Sequence, residues 1–186
     1  DSSRQRRFTM STLGSEMTDM LCHFSMALIV VLLSAGVAVS EDKPPPIYVD
    51  VGACPFECCT YRMWTVNEAT TLWSEPDGNA VVGILREGKV VQGLTGEVIS
   101  KPLAVKADRD IPETPIRTGD TFYVLHYEGE GNWKVWLHGE TTDVFYQFMH
   151  MPHPPKEDWW VKVKDAEGNV GWTLSDRHFL HQDACE

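Results

Sequence analysis

The residues with chemistry to offer are few and clustered. Cys54, Cys58 and Cys59 lie within six positions of one another, and Cys185 stands at the far end of the chain. Thiols grouped this way can form disulfides, hold a soft metal or act as nucleophiles. The usual redox pattern, Cys-x-x-Cys, is absent from this cluster. Histidines offer a second chemistry. His150 and His153 sit in a Met-His-Met-Pro-His loop, and His178 and His181 are three positions apart. Imidazole with thioether suits copper, and imidazole with thiolate suits zinc. Yet Pro152, Pro154 and Pro155 stiffen the first loop, and the second pair frames Phe179 and Leu180. These histidines read first as solvated loop residues, and no metal is assigned.

Catalytic signatures are missing from residues 41–186. There is no Gly-x-Ser-x-Gly elbow, no phosphate loop and no dinucleotide fingerprint. The expectation is a chain that is not an enzyme and needs no cofactor. Formal net charge is -11. Binding to phosphate backbones draws its affinity from Lys and Arg, so nucleic acid is an unsuitable partner.

The cysteine chemistry depends on location. Arg4, Arg6 and Arg7 precede an apolar or small run of 16 residues, Phe24 to Val39. Ala38-Val39-Ser40 places small residues where a signal peptidase reads, so residues 1–40 read as a signal segment with Glu41 as mature start. Left uncleaved, the segment would be a membrane tether. Export to the periplasm or medium leaves four cysteines where thiols oxidise, hence two disulfides in three pairings. Cys58 with Cys59 ranks last because its ring is strained. Cys185 joined to one of Cys54, Cys58 and Cys59 is favoured. It would staple the chain ends and contribute ~4 kcal/mol by chain entropy.

The elements that must hold these groups read as strands. Glu41 to Thr60 is a Pro-rich linker and Cys-rich loop, with Ile47 to Val51 as a first edge strand. Beyond it, alternating runs recur between Gly-containing turns: Tyr61–Val66, Thr71–Trp73, Val81–Leu85, Lys89–Leu94, Leu103–Val105, Thr121–Tyr127, Trp133–His138 and Asp143–Phe148. Gly93, Thr95 and Gly96 imply a bend or bulge. Lys106 to Gly119 carries two prolines and several charges and reads as an exposed loop. Asp158 to Leu180 forms a last hairpin around Asp165-Ala166-Glu167-Gly168-Asn169. Short strands spaced this way, with no helical period, mark an all-β barrel or sandwich.

Two stretches carry a resemblance. Trp160-Val161-Lys162-Val163, a glycine turn and Val170-Gly171-Trp172 resemble the C-terminal half of a bacterial SH3-like domain. LWSEPDGNAVVGILREGKVV, Leu72 to Val91, is similar to the first half. The resemblance implies a small ligand-binding barrel over residues 61–182, with an inserted hairpin region over about residues 97–158. It also implies a non-catalytic module of the cell envelope that recognises cell-wall peptides or a protein partner.

Strand alternation then nominates a binding surface. With Trp159, Val161 and Val163 inward, Trp160 faces out beside Lys162, and Trp136 faces out beside Lys134. Exposed aromatics often mark an interface, so Trp136 and Trp160 are the candidate ligand contacts. Aromatic walls with an acidic rim would suit amine-bearing peptides. The second reading is a periplasmic zinc or copper protein using Cys54, Cys58, Cys59 and histidines.

Overall fold

Among the described residues, alternation of apolar and polar residues produces twelve strands and no α-helix. The computed structural model describes residues 42–54, 58–175 and 178–185. The expected signal segment and the centre of the Cys-rich loop lie outside them. The strands are β1 (Tyr48–Val51), β2 (Met63–Val66), β3 (Thr70–Trp73), β4 (Val81–Leu85), β5 (Val90–Lys101), β6 (Leu103–Lys106), β7 (Thr121–Gly129), β8 (Asn132–Leu137), β9 (Glu140–Phe145), β10 (Lys156–Lys164), β11 (Val170–Leu174) and β12 (Phe179–Leu180).

Eight of them form one curled half-barrel sheet in the order β12-β2-β5-β10-β11-β3-β4, with β1 also paired to β5. Its backbone is β5, a single 12-residue strand that does not end at its glycines. A side chain at Gly93 would meet the Trp64 ring at 2.9–3.0 Å, and one at Gly96 would overlap Tyr61 and Trp159. Glycine at both positions lets the rings lie against the strand. The expected irregularity is a bulge, because Lys162 faces Thr95 and Val163 faces Gly93, skipping Leu94. Inside the curl, Trp64, Val66, Leu72, Leu85, Val91, Val161, Val163 and Phe179 make one buried core.

The expected insertion is a sheet of its own, shorter than the 97–158 boundaries suggested. Both β5 and β10 continue through those limits, and Lys101 pairs with Lys156. Between them β6-β7-β8-β9 form a four-stranded antiparallel meander. Its core is separate and includes Val105, Phe122, Val124, Val135, Leu137 and Val144. Two expectations fail here. The 106–119 segment is anchored rather than exposed throughout, since Ile111 and Ile116 are 2% and 0% exposed and belong to this core. The Ile111 N–H donates to the Ile116 carbonyl, and Asp110 Oδ1 accepts from both the Thr118 N–H and its hydroxyl. The aromatic strand also stops early. It ends at Phe145, where Tyr146–Phe148 turns as a 3-10 helix and the Tyr146 N–H donates to Gly131.

The chain end returns to the Cys-rich loop. β12 pairs with β2, the Thr60 N–H donates to the Gln182 carbonyl, and the Ala184 N–H donates to Cys58. That zipper brings Cys58 and Cys185 within a Cα–Cα distance of 5.7 Å as one disulfide, and Cys54 pairs with Cys59 at 5.5 Å. Cys185 is therefore tied to an N-terminal cysteine, and the neighbours Cys58 and Cys59 are not joined to each other. Loop size separates their contributions. Removing Cys58–Cys185 by serine substitution should lower unfolding free energy by about 5 kcal/mol, and removing Cys54–Cys59 by about 2 kcal/mol. Urea unfolding of the two double variants measures this. Equal losses would show that chain closure is not the source.

Candidate functional site

Two tight turns on the curled sheet frame a groove. The first, Arg86 to Lys89, joins β4 to β5. Gly88 sits at φ 73°, where glycine is at ease, and its N–H donates to Val66. The second, Asp165 to Asn169, joins β10 to β11. Asp165 accepts from the Asn169 N–H and its side-chain amide, both at 2.7 Å. Slight burial pushes the Asp165 carboxyl up, but these hydrogen bonds outweigh it and hold it below the ordinary range.

A cleft of about 520 Å³ lies between the turns, lined by Ile84, Leu85, Arg86, Lys89, Val90, Asp165, Ala166, Glu167 and Asn169. A second depression of about 250 Å³ adds Met63, Gln92 and Lys164 and shares Val90, Asp165 and Ala166. The shared residues make the two one groove. Strand parity explains its apolar floor. Trp64, Leu85 and Val91 take the inward positions of β2, β4 and β5, so Met63, Ile84 and Val90 point out. They are 56%, 68% and 47% exposed, which is costly for large apolar groups left uncovered. Arg86, Lys89 and Lys164 line the same groove, and none makes an ion pair among the described residues.

The nominated tryptophans do not line this groove. Trp160 is only 6% exposed, which corrects the expectation of a wet ring. Its strand is interior, with β5 on one side and β11 on the other, and Lys162 next along that face lies over the Trp172 ring at 5.6 Å. Trp136 is half-buried on the other sheet, with Tyr48 packed edge-on at 6.5 Å and its Nε1 enclosed without a hydrogen-bond partner. The metal alternative loses its thiolates, since the sulfurs of Cys54, Cys58, Cys59 and Cys185 are all spent in disulfides. Cys58, Cys185 and Asp183 come together, but the two sulfurs are bonded to each other. His150 lies exposed beside Asp108 at 3.3 Å, and His153 contacts its own loop at the Pro154 carbonyl. Neither they nor His178 and His181 join a group of three metal-ligating side chains among the described residues.

One cluster escaped the sequence reading. His126 is fully buried where the two sheets meet, its Nδ1 3.0 Å from the Tyr127 carbonyl and its Nε2 2.9 Å from Asp50 on β1. Glu128 lies 3.5 Å from the same Nε2. Asp50, His126 and Glu128 offer three ligand atoms within 4.8 Å of one another. The Lys134 ammonium already bridges the two carboxylates, hydrogen-bonding Asp50 and lying 2.7 Å from Glu128. Burial pushes the Asp50 carboxyl up, but hydrogen bonds from Lys134 and His126 outweigh it and leave it below its usual range. Burial lowers Lys134, yet its bonds to the same carboxylates outweigh that and raise it. Nearby, burial raises Glu157, partly offset by the Tyr127 N–H it accepts at 3.0 Å. The cluster therefore reads as a polar clamp between sheets, with Lys134 as the counter-charge shared by the two carboxylates. A sequence signal existed: a histidine in register with Phe122 and Val124, and an aspartate inside Tyr-Val-Asp-Val.

The signs of these shifts set a pH window. The Asp50 contribution is present above the free carboxylate range and lost as pH falls through its depressed value. That of Lys134 is present below the free ammonium value and lost as pH rises through its elevated one. Replacing Lys134 by Met should cost about 1–3 kcal/mol at neutral pH, because two carboxylates lose their counter-charge. The deficit should shrink as pH drops through the carboxylate range. Urea unfolding at neutral and acid pH tests this, and a deficit independent of pH would refute the clamp. No protein-family model matches the chain, and no curated protein or solved structure matches it significantly.

Proposed function

We propose that this chain is an exported, non-catalytic interaction module of a bacterial cell envelope, an SH3-like barrel with an added sheet, that binds a cell-wall peptide or an envelope protein. The observation that carries this reading is the groove on the curled sheet. Three large apolar side chains, Met63, Ile84 and Val90, stand open to water around it, held by two turns fixed by hydrogen bonds. Uncovered apolar surface of this kind is retained where something docks. Supporting it, the turn from β4 to β5 and the β10–β11 hairpin carry SH3-like motif residues, and both frame the groove. The two disulfides suit a place where thiols oxidise, in keeping with the basic and apolar leader.

The periplasmic metal reading is weaker, because the thiolates it requires are bonded in pairs. One preparation separates the two. Residues 41–186, purified under oxidising conditions, should contain no free thiol and no stoichiometric zinc or copper. The same preparation should bind isolated cell-wall sacculi, or a protein in a solubilised envelope fraction. Replacing Ile84 and Val90 by Ser should weaken that binding about tenfold while leaving thermal unfolding nearly unchanged, since both side chains are already exposed. Binding to neither fraction would reject the interaction reading, and stoichiometric metal with titratable thiols would install the alternative.

A further inference from the structure

The groove has a sign of charge opposite to that of the protein as a whole. The chain carries a formal net charge of -11. Around the apolar floor, however, stand Arg86, Lys89 and Lys164, with no ion-pair partner among the described residues. The two carboxylates that line the groove do not cancel them. Asp165 spends both oxygens on Asn169 in its own turn. With Glu167 the lining carries two acids against three cations, a formal excess of one positive charge.

We propose that this groove docks an extended peptide segment that alternates aliphatic and acidic residues. The proposal rests on the interaction-module reading and names its ligand class. Aliphatic side chains would cover Ile84, Val90 and Met63. Carboxylates would meet Arg86 and Lys89 at one end and Lys164 at the other. Local charge, rather than net charge, decides because exposed charges more than about 8 Å away are screened at physiological salt. An extended strand suits the shape, since its side chains alternate between the floor and the cationic rim. β4 is also the last strand on its side of the sheet and has neither charge nor proline in its run Val81-Val82-Gly83-Ile84-Leu85. Nucleic acid fits less well. Three cations release few counterions, and no aromatic ring lines the groove for bases to stack on. An amine-bearing ligand, expected for the Trp136 and Trp160 surface, fits this groove less well, because three cations would repel it.

The test uses the oxidised chain, residues 41–186, and a displayed library of random extended peptides. Selection runs in parallel on the wild type and on R86E/K89E, two exposed changes in a surface turn whose folding is checked by thermal unfolding. Enriched wild-type peptides should combine Asp or Glu with Leu, Ile or Val. The best should bind R86E/K89E at least about tenfold more weakly, and the wild type should lose affinity with added salt. Exchanging the peptide acids for Lys should reverse the preference between the two proteins. Basic peptides enriched on the wild type, or acidic ones indifferent to R86E/K89E, would overturn the groove while leaving an interaction module. No enrichment on either protein would overturn both. A self-associating chain whose dimer blocks peptide and dissociates in R86E/K89E would make the occupant a second copy and also refute the proposal.

Discussion

The flat contact between the Trp64 ring and the bare backbone of Gly93 is the constraint on which the rest of the curled sheet depends. With a side chain at Gly93, the ring could not lie at that distance. Trp64 is fully buried, packs tilted against Phe179 at 5.4 Å and Tyr61 at 5.7 Å, and donates its ring N–H to the Thr60 carbonyl at 3.0 Å. It thereby joins β2, β5, β12 and the segment after the Cys-rich loop. Large aromatic rings bury much apolar area each, so one well-seated tryptophan can organise a small core. The bulge at Leu94, just beyond Gly93, lets β5 keep pairing with β10 while the sheet bends around this ring.

The described residues then form two apolar cores and a polar contact between them. Each core excludes water on its own, and the Asp50–His126–Lys134 cluster with the Glu157–Tyr127 bond spans the boundary. Polar contacts of this kind fix geometry more than they add stability, because the cost of desolvating charges offsets much of their attraction. The aromatic neighbours Tyr48 and Trp136 flank the cluster and keep Trp136 from serving as an open binding surface.

Much of the strand pattern was legible because a half-buried strand writes its parity into the sequence. Trp159, Val161 and Val163 do pack on the inner core, and Val135 and Leu137 do point inward. What parity cannot reveal is the state of the other face. Trp160 was placed opposite Trp159, but that face is closed around it. Ile111 and Ile116 were hidden because prolines and charges dominate their segment, although two anchors suffice to pin a loop. Glycines in β5 read as a bend or bulge, which the ladder has, but nothing in one sequence says that a distant indole fills the space they leave. The groove was invisible for a related reason. Val-Val-Gly-Ile-Leu reads as a run buried on both faces, and only the pairing order puts it at a sheet edge with Ile84 exposed. Two of its cations sit in a turn and the third ends a strand, places where Lys and Arg are commonplace.

Lys101 and Lys156 face each other across the β5–β10 ladder, and the four-stranded meander leaves and rejoins the parent sheet at that rung. The polypeptide leaves the parent sheet and rejoins it at adjacent points, so the appendage resembles a bracelet charm whose clasp is already shut. A chain built this way can acquire, swap or shed the charm without re-threading any neighbouring strand. The groove lies on the part that would remain, so its walls owe nothing to the appendage.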